Sequence, residues 1–291
     1  FGNKHFESFI EINFVKIPEA IDIFKNAADS DSILLRLSAF TDKPLIKGKT
    51  LIFFDEVQKC PEIVTAIKFL VDEGSYRYIL SGSMLGVELK GLSSAPVGYM
   101  DIMEMYPIDF KEFIGALGVS SRILDMLHQC FNDRTMIDEV IHSRLMQLFR
   151  LYLVVGGMPA AVQKYLDTHD LREVMNEQLA ILKLYKLDIS QYDPNKKLYL
   201  DDIFDLIPSE LNAKNKRFIL KNLNENMKFS RYENSFLWMS DAGVALPTYN
   251  VEEPVPPLKL SKQRNLFKLF QNDVGLLAAQ YADGLQLRIL N

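Results

Sequence analysis

The sequence predicts an α/β fold built around a parallel sheet, and three features carry this prediction. Residues 50–54 (TLIFF) and 76–80 (YRYIL) are short runs rich in large apolar residues, without the regular alternation of a half-exposed strand. Such runs are typical of strands that are buried on both faces of a parallel sheet. A predicted helix lies between them, with Pro61 at its start and apolar residues at helical spacing. We therefore expect both strands to end at the same edge of one sheet.

The flanking segments add further elements to this predicted unit. Their β-branched, aromatic and periodic apolar residues predict strands and helices in turn. The expected elements are strands over 8–14 and 98–105, helices over 18–26 and 32–40, and a helix that Asp109 and Glu112 would cap and that would end near Gly118.

Two acids follow the first apolar run and are candidate metal-binding and catalytic groups. Asp55 and Glu56 emerge where the predicted strand ends, and ligands collect outside the carboxyl ends of strands in open α/β sheets. A hydrophobic strand that delivers Asp and then Glu is the Walker B pattern. Asp55 would hold Mg²⁺ directly or through water, and Glu56 would orient or deprotonate the attacking water. The alternative is a strand that ends in a solvated loop, where acids are common.

Small hydroxyl residues follow the second apolar run at the equivalent place. Ser81 and Ser83 lie on either side of Gly82. A hydroxyl at this edge can hold the attacking water or sense the γ-phosphate of a nucleotide. A plain turn is the alternative, because Ser-Gly-Ser is equally typical of turns.

A Gly-Lys-Thr triplet at residues 48–50 resembles the end of a phosphate-binding loop, but two observations exclude it. The first glycine of G-x-x-x-x-G-K-[ST] would fall on Lys43, and the triplet leads into a strand instead of into a helix. No other segment of the sequence matches this motif.

The composition excludes several classes of protein. The 291 residues are 48% apolar, which is enough for two or three compact units. The net charge of -5 gives no overall signature of nucleic-acid or membrane binding, and no apolar run approaches the roughly eighteen residues of a membrane span. Cys60 and Cys130 fit neither a disulfide framework nor a zinc site, which favours a reducing compartment. We expect a cytoplasmic protein.

Beyond Gly118 the apolar pattern is helical and then changes to the outline of a winged helix-turn-helix. The first part predicts a helical bundle, with helices over 119–129, from Thr135 and Asp138 to about 152, over 158–168, and from Asp170 and Glu173 to about 187. The second part predicts a helix capped by Asp201, helices over 214–223 and 230–243, the last capped by Ser230, and strands over 244–251 and 258–261.

The charges of this second part argue against specific DNA recognition by its third helix. That helix has more acids than bases from residue 231 onward, and its Phe236 and Trp238 are better suited to packing than to base edges. The bases precede it and could contact backbone phosphate: Lys214, Lys216, Arg217, Lys221, Lys228 and Arg231. We expect a structural or protein-contacting winged helix, and a non-enzymatic adaptor that binds DNA or a partner protein through residues 211–260 is the alternative function.

Seven blocks of the sequence, in their order and spacing, resemble the prokaryotic AAA+ type ATP-binding proteins that carry a DUF4143 region at their C-terminus. The resemblance spans nearly the whole chain. The blocks are LIFFDEVQKCPE, YRYILSGSMLGVEL, PVGYMDIMEMYPIDFKEFI, LYLVVGGMPAAVQKYLDT, DLIPSELNAKNKRFILKNL, RYENSFLWMSDAGVALPTYNV and LFKLFQNDVGLLAA.

This resemblance implies an ATPase that binds ATP and Mg²⁺, in which nucleotide state moves a C-terminal module. It makes Asp55 and Glu56 the Walker B pair and puts Ser81 and Ser83 at the sensor position. It also implies a P-loop NTPase core that lacks its first strand here, and an oligomer is compatible with it. The family's domains would fall as a nucleotide-binding core over 1–118, a helical lid over 119–195, a winged-helix region over 196–275 and the start of a further domain over 276–291.

The sequence also departs from this family in three ways. The phosphate-binding loop is absent, and the stretch from Leu92 to Met100 has no arginine that could serve as an arginine finger. The sequence also stops at Asn291, about where the nuclease-like terminal domain of the family would start. We therefore expect the chain, which begins at Phe1, to be a fragment with impaired nucleotide binding.

Overall fold

The computed structural model describes residues 1–27, 29–82, 98–192, 197–215, 217–219, 229–282 and 286–290, with the side chains of 190–192, 197–199, 229–234, 282 and 286–287 left aside. The chain forms two compact units, Phe1–Glu104 and Met105–Asn291.

The first unit contains a parallel sheet, as the apolar runs predict. Its described strands are β1 (Ser8–Asn13), β2 (Thr50–Asp55) and β3 (Arg77–Leu80), in the order β1-β2-β3. Both pairs are parallel, and the register sets Asn13 opposite Asp55 and Phe54 opposite Leu80. The three carboxyl ends therefore meet at one edge of the sheet.

Helices cover this sheet and bury its central strand. They are α1 (Gly2–His5), α2 (Ser30–Phe40) and α3 (Glu62–Glu73), with 3-10 helices at Pro18–Ile23 and Val57–Lys59. Ile52 and Phe54 of β2 are fully buried, and the ring of Phe54 packs against those of Phe14 and Phe24. β2 is therefore anchored firmly enough to fix the position of the acids at its end.

One strand predicted for this unit is wrong. Residues 98–105, all of which the structure describes, contain a turn and irregular chain in place of a strand. The side chains of Ile102, Met103 and Met105 are exposed. Apolar and aromatic residues favour a strand only where they pack on a pleated surface, and these three do not.

The second unit is mostly helical, as predicted, and ends in a hairpin and a short helix. Its helices are α4 (Phe110–Ala116), α5 (Ser121–Asp133), α6 (Glu139–Val155), α7 (Pro159–Thr168), α8 (Leu171–Tyr192), α9 (Lys197–Asn212), α10 (Phe229–Asp241) and α11 (Val274–Ala282). The strands β4 (Ala245–Val251) and β5 (Lys262–Gln271) pair antiparallel, and a 3-10 helix covers Gln286–Ile289.

The predicted helix caps are partly confirmed. Asp109 and Glu112 form both hydrogen bonds of a capping box on α4, and Asp170 accepts a hydrogen bond from the backbone of Arg172 in α8. Thr135 does not cap α6: Asp138 does, by accepting from two backbone N–H groups. The backbone of Thr135 instead closes the end of α5, on the carbonyl of Cys130.

Several bounds predicted for residues 200–261 are corrected. Asp201 and Ser230 lie inside α9 and α10, because both helices begin earlier than expected. Residues 217–219 are irregular, so the predicted helix over 214–223 is wrong there, and 220–223 lie outside the described residues. The second strand begins at Lys262, and the predicted strand over 258–261 is part of the turn between β4 and β5.

A buried acid joins two distant segments of the second unit. Asp273 precedes α11, and its two carboxylate oxygens accept from the backbone N–H groups of Leu276, at 2.9 Å, and Gly157, at 2.6 Å. A Cβ at Gly157 would lie 2.0 Å from the carbonyl oxygen of Ile108. Gly157 therefore permits a close approach that no other residue allows.

Among the helices that the structure describes, none alone has the length and apolar character to cross a membrane. α6 and α7 reach that length and composition only when taken together, and they are bent by 119° where they meet.

Candidate nucleotide site

Polar side chains from the three described strands of the first unit meet at the carboxyl edge of the sheet. Asn13 ends β1, Asp55 ends β2, and Ser81 follows directly after β3. Backbone hydrogen bonds continue past the strand ends, from Phe14 to the carbonyl of Asp55 and from Ser81 to that of Phe54. The three side chains are therefore held by continuous sheet backbone and not by free loops.

The Asp55 carboxylate is the centre of this cluster. The amide nitrogen of Asn13 donates to Oδ2 at 2.6 Å, and the hydroxyl of Ser81 donates to Oδ1 at 2.5 Å. The backbone N–H of Glu56 also donates to Oδ1, at 3.1 Å. Asp55 is half-buried, and its carboxylate is oriented by these protein groups.

Glu56 has a backbone conformation that is rare for a residue with a side chain. Its φ of 60° and ψ of 43° lie in the left-handed region, where the Cβ crowds the following carbonyl oxygen. The side-chain amide of Gln58 donates to Oε2 of Glu56 at 2.5 Å. Such backbone strain is often concentrated at functional sites.

Gly82 makes room for this arrangement. A Cβ at Gly82 would lie 2.5 Å from the side-chain oxygen of Gln58. The glycine between Ser81 and Ser83 therefore lets Gln58 lie across the end of β3, where it reaches Glu56.

The residues at this edge fit a magnesium ion that is shared with phosphate. Among the residues that the structure describes, no group of three or more His, Cys, Asp or Glu side chains could hold a metal ion by itself. Mg²⁺ in nucleotide sites is commonly held by one or two carboxylates and completed by phosphate oxygens and water. Asp55, half-exposed at the sheet edge, provides that kind of ligand.

The sequence predicted two of the three residues that meet here. Asp55 and Ser81 are brought into contact, as the shared strand edge suggested, and Glu56 lies beside them. Ser83 lies outside the described residues. Sequence reasoning missed Asn13, because a polar residue near the end of the predicted strand over 8–14 is not by itself distinctive.

The Gly-Lys-Thr triplet lies at the opposite end of the sheet, as its context indicated. Gly48 and Lys49 form a turn before β2, and the ammonium of Lys49 pairs with Glu7 at 2.6 Å. The Thr50 hydroxyl is fully buried and bonds to the backbone of Ile46. Since Thr50 begins β2 and Asp55 ends it, the triplet is roughly 17 Å from the acids.

The basic residues predicted for phosphate contact are only partly within the described structure. Lys214 and Arg217 are exposed, and the guanidinium of Arg217 donates to the backbone of Asn265 in β5. The side chains of Lys216, Lys221, Lys228 and Arg231 lie outside the described part. Phe236 and Trp238 of α10 are buried, which confirms that they serve packing.

Comparison with known families divides the chain in two. Residues 1–114 match the model of an AAA domain, and residues 146–287 match that of a domain of unknown function, DUF8612. The DUF4143 resemblance is therefore not shown, because a different family is found over that region. No curated protein and no solved structure matches the chain.

The AAA match and the geometry of the first unit agree. A three-stranded parallel sheet with an acid pair at the end of its central strand is consistent with a P-loop-like AAA domain. The first 114 residues of this chain are thus similar to AAA-type ATPase domains, which bind nucleotides.

Proposed function

We propose that the first unit is the nucleotide-binding part of an AAA-type ATPase, and that the phosphates and Mg²⁺ of ATP bind at the carboxyl edge of β1–β3. One observation carries the proposal: Asp55 and Ser81, from neighbouring parallel strands, contact each other at the edge where α/β sheets bind ligands. The similarity of this region to AAA domains supports it.

Asp55 and Glu56 have different tasks in this proposal. Asp55 would hold the magnesium ion, which neutralises the phosphate charge that develops during phosphoryl transfer. Glu56 orients the attacking water and accepts its proton. Gln58 occupies one oxygen of the Glu56 carboxylate and so leaves the other available for the water. Ser81 keeps the Asp55 carboxylate in place through its hydrogen bond to Oδ1, and its hydroxyl would respond to the γ-phosphate.

The proposal extends to the second unit. Nucleotide binding would change the position of the helical region and of the α10–β4–β5 segment, so that binding at one end of the chain alters a surface at the other. The order of helix, strand and strand in the described residues supports a winged-helix module there. Its partner would be a nucleic acid or a protein.

ATP turnover by the full-length gene product tests the catalytic role. Glu56→Gln removes the proton acceptor but keeps the shape and the Gln58 contact, so we expect turnover to fall about 10²-fold or more while Mg·ATP still binds. Glu11→Gln is the matched control, because Glu11 is an exposed acid on β1. Unchanged turnover in Glu56→Gln would refute the catalytic role.

A second candidate function is a non-enzymatic adaptor that binds DNA through the hairpin, and the charges of β5 favour it. Lys262, Arg264 and Lys268 are exposed on β5, and neither β4 nor β5 contains an acid. Lys262 lies over the ring of Tyr249, with its ammonium 3.5 Å from the ring centroid. The backbone contact of Arg217 brings one more cation to this strand.

Salt-dependent DNA binding distinguishes this candidate from the ATPase. If the hairpin binds backbone phosphate, affinity falls as salt rises, and replacing both Lys262 and Lys268 by Ala should make this fall shallower. The magnitude of the slope of log affinity against log salt should decrease by about 2, with or without ATP. Lys111→Ala, an exposed lysine on α4, is the control. A slope that the double variant leaves unchanged would exclude the hairpin as the DNA contact.

A further inference from the structure

We propose that Asn13 is a positioning residue for the metal site: its amide nitrogen fixes the orientation in which the Asp55 carboxylate meets a bound cation. This inference rests on the proposed function, because it assigns Asn13 a role in the same site. Asn13 would not touch the nucleotide; it would act through Asp55.

The orientation of the Asn13 amide is determined by its own backbone. Its Oδ1 accepts hydrogen bonds from the N–H groups of Val15, at 3.0 Å, and Lys16, at 2.8 Å. These are the bonds of an Asx turn that ends the strand. With the oxygen used in this way, only the Nδ2 group can face Asp55, and it does so at 2.6 Å.

The contact is protected from water on the Asn13 side. Asn13 is 8% exposed, and the parallel register puts it directly opposite Asp55. A buried hydrogen bond between an amide and a carboxylate is costly to leave unmade, because water cannot easily replace either partner. The Asp55 side chain therefore cannot turn without losing the bond to Asn13.

Asn13 and Ser81 together hold both oxygens of Asp55. Asn13 donates to Oδ2 and Ser81 donates to Oδ1, so rotation of the carboxylate breaks two hydrogen bonds at once. Oδ1 also accepts from the backbone N–H of Glu56, so Oδ2 is the oxygen that keeps a second lone-pair site for a cation or its water. The ligand is thereby oriented before the cation arrives, which lowers the entropic cost of binding.

The chemistry of an amide suits this position better than that of a charged group. Asparagine supplies a donor without adding charge, so Asp55 keeps its full negative charge for a cation. A lysine or arginine at the end of β1 would pair with Asp55 and compete with the metal. An aspartate there would repel the Asp55 carboxylate. Among small side chains, only asparagine gives both the turn acceptor and a neutral donor to Asp55.

Asn13→Ser tests this role, because a serine hydroxyl can keep the turn but cannot reach Asp55. In crystals grown without metal or nucleotide, we expect the Asp55 carboxylate to rotate by about 30° or more from its orientation in the wild type. In solution, the gain in ATP affinity that Mg²⁺ provides should fall by about 10–100-fold, while affinity for ATP in EDTA stays unchanged. Ser8→Ala, at the other end of β1, should change neither quantity.

The two measurements separate this inference from the proposed function. Asp55 keeping its orientation in Asn13→Ser would overturn the positioning role, whatever the nucleotide result. A wild type that gains no ATP affinity from Mg²⁺ would overturn the proposed function, while the crystal comparison still decides whether Asn13 orients Asp55. If Asn13→Ser does not fold, Asn13→Asp replaces it: this variant keeps the size and the turn acceptor, and its loss of the donor should displace the Asp55 carboxylate at neutral pH.

Discussion

At the scale of single residues, Glu56 combines a candidate catalytic carboxylate with a strained backbone. Its φ of 60° is a conformation that glycine adopts freely and other residues adopt at a cost. A residue chosen for stability alone would be glycine or asparagine. The strain therefore agrees with a role for the Glu56 side chain that stability does not explain.

Two substitutions at this position measure the strain. Glu56→Gly and Glu56→Ala both remove the carboxylate and differ only in the Cβ, which should destabilise the alanine variant by about 1 kcal/mol relative to the glycine variant. Urea unfolding of both variants gives the difference directly. An alanine variant that is as stable as the glycine variant would show that position 56 is unstrained.

The two cysteines should differ sharply in reactivity. Cys60 is fully buried, and desolvation raises the pKa of its thiol to about 12, so its thiolate is scarce at neutral pH. Cys130 is half-buried on α5. An aromatic disulfide reagent at pH 8 should therefore label one thiol per native chain and two in denaturant. Cys130→Ser should abolish the native labelling; rapid labelling of that variant would contradict the burial of Cys60.

Some of the site could be predicted from single residues, and some could not. Asp55 and Ser81 follow apolar runs, so their meeting at one edge follows from the sheet itself. Asn13 ends a similar strand but is a neutral residue that is common in turns, so nothing in the sequence distinguished it. The contact between Gln58 and Glu56 depends on a left-handed residue and on Gly82, and neither is visible in a sequence pattern.

At the scale of elements, the buried N-cap of α11 links two helical segments. Asp273 is 4% exposed and bonds to backbone N–H groups at residues 157 and 276. Desolvation raises the pKa of its carboxyl above the ordinary value, although the backbone hydrogen bonds lower it. The charged form is therefore disfavoured in the folded state.

This cap gives a prediction for stability and its pH dependence. Asp273→Asn leaves one backbone N–H without an acceptor, so we expect it to destabilise the chain by about 1–3 kcal/mol. Because the folded pKa is raised, the contribution of Asp273 is largest below its unfolded pKa and is lost as pH rises through the folded pKa. The cost of the variant should therefore shrink from acid to neutral pH, as measured by urea unfolding.

The control for this prediction is the same substitution at an exposed cap. Asp138 caps α6 on the surface, where asparagine is an equally good cap, so Asp138→Asn should change stability by less than about 0.5 kcal/mol. Equal effects at Asp138 and Asp273 would contradict the special role of the buried cap.

Elements with a clear apolar pattern were predicted well. Elements whose existence or bounds depend on pairing with another segment were not. The apolar residues of β2 and α3 have the run length and the spacing of the buried strand and the amphipathic helix that they form. The wrong strand over 98–105 has strand-forming residues but no pairing within the described residues. β5 was placed too early because the Pro-rich turn between β4 and β5 is longer than expected, although Phe267, Leu269 and Gln271 alternate inward as a strand requires.

At the scale of the whole molecule, the chain consists of two units that match different protein families. The AAA match covers residues 1–114, mostly in the first unit, and the DUF8612 match lies entirely in the second. The sequence predicted a parallel-sheet core followed by a helical region, and the structure has both; nucleotide binding by the core stays a prediction. The further division into lid, winged helix and terminal domain stays a prediction, because its boundaries depend on packing between helices that no local pattern specifies.

The central claim is that Asp55 holds the metal of a bound nucleotide, and calorimetric titration of the full-length gene product with Mg·ATP tests it most directly. Wild type and Asp42→Asn, an exposed control, should bind ATP more tightly with Mg²⁺ than with EDTA. Asp55→Asn should remove about tenfold or more of that gain, because the neutral amide no longer attracts the cation. If Asp55→Asn keeps the full effect of Mg²⁺, the claim is wrong.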